Sequence, residues 1–393
     1  MSHMLTRRRG SVIMISLGVI VVVTTLGATL MIRSLGEHGL SQRHAARARA
    51  FELAEAALDQ ASFNLRTPLD AADDVLTATL PTGTAQVEAV NQLGPTLWQV
   101  TTNGTIGQEQ RRIEAIFQLV PQSVFQFALF GDQQVNVSGN AITDSYDSSL
   151  GPYNNDANSP GYNAAHNGDV GTNSTATGGV TVGGSIFVDG QVAVGAGVAD
   201  PLSVVSGYDP AFITGGTSPP SDTQDVAAQS STSPMPPVTI PSGLTCSDFT
   251  VQGNTTISLP PGTYCYRNLT IQGNATLTAS GSVTVYLMGE LNAQGNSVVG
   301  VVNDPTQMLF LLSSTAEATL EQTVQGNNTF YGAIYGPQAR FTIQGNAQVH
   351  GSIIARQINV QGDAVLHYDE RLSTSTAVPN VYQRALISWR ELN

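Results

Sequence analysis

Residues 324–370 read VQGNNTFYGAIYGPQARFTIQGNAQVHGSIIARQINVQGDAVLHYDE, and three copies of one short motif lie inside them. Gln-Gly-Asn, once Gln-Gly-Asp, places its glycine at 326, 345 and 362. Aligned on that glycine, the copies give columns of like chemistry: Val324, Ile343 and Val360; Asn327, Asn346 and Asp363; Phe330, Val349 and Leu366; Tyr331, His350 and His367. Apolar columns that recur once per turn fill the interior of a coil, and Asn columns stack at its corners, so the stretch predicts a β-solenoid. Glycine followed by Asn suits a corner that needs positive φ.

Working towards the N-terminus, further copies have their glycines at 253, 273 and 295, and weaker ones lie in VNVSGNAI (135–142) and GGVTVGGSIFVDGQVAVGAG (178–197). Spacings of 17 to 31 residues between the glycines fit a coil with loops extruded from some rungs. The solenoid is therefore expected over 121–370. Residues 198–241 hold eight of the 19 prolines and are expected to interrupt it as a loop or linker. Residues 371–393 remain as a C-terminal segment.

Upstream, TAQVEAV (84–90), LWQVTTNGTI (97–106) and QRRIEAIFQLV (110–120) alternate polar and apolar residues between Gly-bearing turns. They predict an antiparallel meander within 67–120, with Trp98 in its core. Before it, Ser11 to Ile32 is an uncharged run of 22 residues, longer than the roughly 20 that cross a bilayer as a helix. No proline breaks residues 33–66, and HAARARAFELAEAALDQASFNLR is rich in strong helix formers, so one helix is expected over 11–66. Its Ala46, Ala50, Ala54, Ala57 and Ala61 offer close approach to a neighbour, while Phe51, Leu53, Leu58 and Phe63 are placed to cover a small sheet. Thr67-Pro68 ends it. A sheet of this size is stable only against such a helix, which gives an α+β head. The fold class expected is thus mainly β: a long N-terminal helix, a small antiparallel sheet, then the solenoid.

Charge sorts the partners. Only 11% of the 393 residues are charged, all 16 basic residues are arginine, and the net charge is −13. Residues 1–50 carry seven Arg against Glu37, a balance of +6 that leaves −19 for the rest. That division argues against nucleic acid and for an anchored N-terminus. Arg7, Arg8 and Arg9 keep residues 1–10 on the cytoplasmic side and send the acidic bulk across. A cleaved secretory signal is the alternative, but its apolar region would be shorter and followed by a small-x-small site, whereas Met31, Ile32 and Arg33 follow here.

At these residues the chain resembles the type IV pilins, specifically minor pilins of the PilX-like assembly-protein class. RRRG before an apolar run looks like a prepilin leader cut between Gly10 and Ser11. IRSLGEHGLSQRHAARARAFELAEAAL looks like that class's helix. FALFGDQQVNVSGNAITDSYDSSLGPY and YGPQARFTIQGNAQVHGSIIARQINVQGDAVLHYDE look like its C-terminal region. The resemblance implies a methylated, processed subunit that starts in the inner membrane and ends in a cell-surface filament. It implies as partners a prepilin peptidase, an inner-membrane assembly platform and other pilin subunits. The surface would meet polysaccharide, host cells or other cells. The departure is at the fifth mature position, where most pilins have a glutamate that pairs with the preceding subunit's amine and this chain has Ile15. A residue that cannot make that pair fits a minor or tip subunit. Main shaft subunit and membrane-tethered polysaccharide-binding protein are the rivals.

Three groups of residues carry possible chemistry. Cys246 and Cys265, the only cysteines, lie seven and eight residues before their motif glycines, so adjacent rungs stack them at about disulfide distance. His350 and His367 share a column near Asp369, which makes a metal site imaginable, although a ladder of half-polar rings with Tyr331 accounts for them without one. Asp144, Asp147 and Asp156, with Asn154 and Asn155, have the oxygen-rich character calcium prefers but no EF-hand spacing. No cofactor is expected, calcium at that cluster being the alternative. An enzyme is not expected either: the columns present Gln, Asn and Thr with Asp363 the lone acid, and no GxSxG, Walker or Rossmann pattern occurs. The Asn-x-Thr sequons at Asn254, Asn268, Asn274 and Asn327 are read as duplicated turn chemistry.

Overall fold

The computed structural model describes residues 8–65, 77–214, 225–313, 321–378 and 381–392. The chain forms two compact units, Met1–Val120 with Gln383–Asn393, and Pro121–Tyr382.

In the first unit, one helix, α1 (Arg8–Asn64), is followed by antiparallel strands Thr77–Leu80, Gly83–Gly94, Leu97–Ile106 and Glu109–Pro121. A fifth strand, Tyr382–Leu392, lies beside Glu109–Pro121 at the sheet edge, so the C-terminal segment 371–393 supplies the last strand of the sheet begun before residue 121. Arg111 and Arg390 pair with Glu391 and Glu114 at 2.7 and 2.6 Å, and Phe51 meets Trp389 edge-on. Trp98 is buried in the core.

The alanine stripe of α1 faces this sheet rather than a free neighbour. Ala50, Ala54, Ala57 and Ala61 are buried with Leu53 and Leu58, whereas Phe63 is exposed. Gly104 sits where the two backbones meet: a Cβ there would come within 1.8 Å of the Ala50 carbonyl oxygen. The Thr102 hydroxyl donates to the Ala54 carbonyl oxygen at 2.9 Å, so the contact is backbone-close and polar as well as apolar.

The second unit is a parallel solenoid. The expected columns pair directly: Val324 with Ile343, Ile343 with Val360, and Val360 with Val137. At the corners the motif glycines hold φ between 73° and 89°, and their Asn neighbours form a ladder in which Asn274, Asn296, Asn327 and Asn346 each donate to the Asn of the preceding copy at 3.1–3.2 Å. The sequons at Asn254, Asn274 and Asn327 thus sit in an exposed ladder whose amides bond one another. Phe310, Phe330, Phe341 and the Val, Leu and Ile columns fill the interior.

The order of rungs differs from the order of the chain. One column runs Tyr264, Val285, Phe310, Ile334, Ile353, then Leu129, Val170, Val192 and Val226. The chain therefore enters mid-coil at Leu129, winds to one end near Ala228, and resumes at the other end with Ser247–Gly253. Residues 229–246 span between the two ends along the outside. The proline-rich insertion is accordingly no linker. Its first part supplies rungs, with Val204, Val205, Ile213 and Val226 buried, and residues 215–224 lie outside the described ones. Its last part is a strap in which Met235, Val238, Ile240 and Leu244 pack on Tyr286, Leu311 and Tyr335, and the Tyr335 hydroxyl donates to the Pro236 carbonyl oxygen at 2.6 Å. Proline, lacking an N–H, suits a strand that runs across a sheet without pairing into it. Covered on both faces, strand Met308–Leu312 is apolar at every position.

A disulfide between Cys246 and Cys265 pins the end of the strap to the first complete rung, with Cα atoms 4.6 Å apart. The one-residue mismatch in their offsets is absorbed by an irregularity between the Ser247 and Phe249 pairings. Cys246→Ser with Cys265→Ser is expected to cost about 3 kcal/mol, read as a lower melting temperature that reductant no longer changes. A wild type whose melting is indifferent to reductant would show that the bridge contributes nothing.

Candidate functional site

The column of Tyr331, His350 and His367 extends one rung further than the motif alignment, to Asp144. Parallel pairing forces these four side chains onto one face about 4.8 Å apart, so consecutive rings stack. Tyr331 and His350 stack at 4.5 Å between centroids, and His350 and His367 lie 4.8 Å apart. Tyr153, from the loop after the Asp144 rung, lies flat on His367 at 3.6 Å. His367 Nδ1 is 2.6 Å from Asp144 Oδ1, and the Tyr153 hydroxyl donates to the other carboxylate oxygen. Both outer contacts of the Asp144 carboxylate are thus occupied.

Beside this ladder opens a pocket of about 490 Å³, lined by Ile142, Asp144, Tyr153, Asn155, Asn303, Tyr331, Gln348, His350, Val365 and His367. His350 is 7% exposed, and burial, reinforced by the charge of His367, pushes its pKa down to about 3. It is a neutral ring at ordinary pH. Burial and then the Asp144 hydrogen bond push the Tyr153 phenol well up, so it stays a donor.

The other candidates are placed as follows. Asp369 does not join the two histidines: its carboxylate accepts from Ser148 N and Oγ and from Arg371 N, capping the turn that follows. It is fully buried, and burial raises its pKa. Asp147 accepts from Ser149 N and Asp156 from Asn158 N, each closing a local turn, while Asp144 belongs to the ladder. The three acidic residues answer three different neighbours. Among the described residues, no three His, Cys, Asp or Glu side chains are placed to hold a metal. Gly10 and Ser11 lie on α1, and every described side chain from 14 to 38 of that helix is exposed.

Sequence reasoning missed Tyr153 and Asn303. Tyr153 sits in an irregular loop with no motif. Asn303 is marked by the structure instead: among the described residues it is the lone non-glycine with positive φ, at 66°. Elsewhere in the described chain that conformation is given to glycine, whereas here a side chain is kept, and it lines the pocket.

A family model described as a domain of unknown function (DUF7305) matches residues 223–375, less than half of the chain. No curated protein matches. Among solved structures, the chain is similar to the crystal structure of the competence-associated pilin ComZ from Thermus thermophilus. That match has 12% identity, covers 88% of this chain and 97% of that one, and has a TM-score of 0.31. So loose a superposition adds nothing to the fold as built from this chain's own pairings.

Proposed function

We propose that this chain is a subunit of a type IV pilus or a related filament, processed between Gly10 and Ser11, anchored first in the inner membrane by α1 and then assembled through it. The observation that carries the reading is the division of α1. From Met14 to His38 each side chain is exposed, Ile15 at 67%, although the segment is strongly apolar. From Ala50 onward one face of the same helix, with Ala50, Leu53, Ala54, Ala57, Leu58 and Ala61, is buried beneath its own sheet. An apolar half-helix with no cover among the described residues is stable in lipid or among copies of similar helices, and a filament core supplies the second.

Ile15 favours a minor or tip position, where no preceding amine needs a carboxylate, and a bulky solenoid crowds a shaft more than a tip. Presentation of the solenoid to surfaces follows from that position. Shearing cells is expected to release the protein with filaments, and its N-terminal sequence is expected to begin at Ser11. Retention of all of it in the membrane fraction would reject the filament and favour a tethered binding protein. Solenoid label spaced regularly along sheared filaments would reject the tip while keeping the filament.

A further inference from the structure

We infer that the pocket beside the Tyr331–His350–His367 ladder binds a neutral oligosaccharide segment. The inference deepens the surface-presentation part of the filament reading and rests on the solenoid facing the outside of the cell. The pocket's lining excludes the other ligand classes in turn. Among the described residues its lining contains no arginine, the chain has no lysine, and its one charge-bearing ring, His367, is already paired with Asp144, so no unpaired cation is left to hold an anion. Asp144, already bonded to His367 and Tyr153, is the single carboxylate among the described lining residues, too few anionic ligands to hold a cation. Among the described lining residues Ile142 and Val365 are the aliphatic ones, too few to hold an apolar ligand.

What remains is a set of neutral hydrogen-bonding edges. Among the described residues, the side-chain amides of Asn303 and Gln348 and the Tyr331 hydroxyl have no hydrogen-bond partner. Amide and hydroxyl groups each donate and accept, as a ligand rich in vicinal hydroxyls requires of its site. The rings behind them are locked: Tyr331 by His350, His367 by Tyr153. A site held in place by stacking pays little ordering entropy on binding. The volume of about 490 Å³ lies in the range of small-ligand pockets and admits more than one sugar ring. Asn303 keeps its side chain at a left-handed position where glycine costs less, and the amide it gains points to use rather than to folding.

The test is saturation-transfer NMR on the full chain in a detergent whose headgroup carries no sugar, with maltotriose, cellotriose and chitotriose as probes. At least one trisaccharide is expected to receive saturation from the wild type and to lose roughly tenfold in affinity with Gln348→Ala or with Asn303→Gly. Both positions are exposed, and glycine keeps the 303 backbone conformation, so both variants fold. No transfer to any of the three at millimolar concentration, or equal affinity in wild type and the double variant, would overturn the inference. So would selective broadening of the His350 and His367 ring signals by Cu2+ at stoichiometric amounts, which would make the pocket a metal site. Binding to the purified chain does not depend on assembly, so failure here leaves the filament reading intact, and retention in the membrane leaves the pocket intact.

Discussion

Gly104→Ala is expected to destabilise the first unit by about 3 kcal/mol and to lower its melting temperature by at least about 10 °C. The added Cβ would lie 1.8 Å from the Ala50 carbonyl oxygen and 2.7 Å from the Ala54 nitrogen, and both are helix backbone, which cannot rotate away as a side chain does. Relief requires α1 to lift from the sheet. That movement breaks the Thr102 bond to Ala54 and opens the layer of Ala50, Ala57 and Ala61. Gly94→Ala is the control, since its Cβ would meet only Leu97 Cβ at an ordinary 3.7 Å. The chain's two tryptophans, Trp98 and Trp389, both lie in this unit, so tryptophan emission follows its melting without interference from the solenoid. Equal melting of the two variants would mean that the helix is free to shift and that the close approach contributes nothing.

The second large effect is expected at low pH in the solenoid. Buried His350 has its folded pKa depressed to about 3, below the ordinary 6.5. Between those values the unfolded chain binds a proton that the folded chain refuses. Stability therefore falls as pH drops from 6.5 towards 3 and does not change through this group above 6.5. At pH 4.5 the loss is about 3 kcal/mol. Buried Asp169 and Asp369, whose pKa values are raised by burial, act in the opposite direction over the acid end of that range. The decisive comparison is accordingly with His350→Phe, which keeps a flat ring between Tyr331 and His367. The variant is expected to lose that much less than the wild type between pH 7 and pH 4.5 in denaturant melts. Parallel losses in the two proteins would refute a neutral buried ring.

Much of the solenoid was legible because its repeat is a statement about neighbours. Val324, Ile343 and Val360 occupy equivalent places in three successive motifs, and equivalent places in successive rungs must pair. The same logic stacked Cys246 on Cys265. What a repeat does not state is where a coil begins. The pairing of Ile353 with Leu129 joins residues on opposite sides of the proline-rich stretch, and only the weak copy at Gly139 hinted at it. Proline content was a poor guide for a related reason, since an unpaired strap and a solvated linker have the same backbone requirement. The difference lies in Met235, Val238 and Ile240, apolar residues that a linker would not need. Strand Tyr382–Leu392 escaped notice because Leu386, Ile387 and Trp389 are exposed, so its burial gives no alternation to read. In the pocket, the ring column followed from the motif, but Tyr153 and Asn303 reach it from loops whose course no periodicity describes.

Entry at mid-coil has a consequence for the order in which the protein becomes whole. A chain delivered N-terminus first completes the strand Leu129–Gly139 long before its partner, Gln348–Gly362, exists. Until then one side of that strand carries unanswered N–H and C=O groups, an open template for any other extended chain. The second half-coil cannot shield it early, because it grows from the far end and reaches the seam last. Closing the seam ties together residues more than 200 positions apart, the kind of contact whose loop entropy slows folding. The interval between synthesis of residue 139 and of residue 362 is thus the period in which this strand is most open to mispairing.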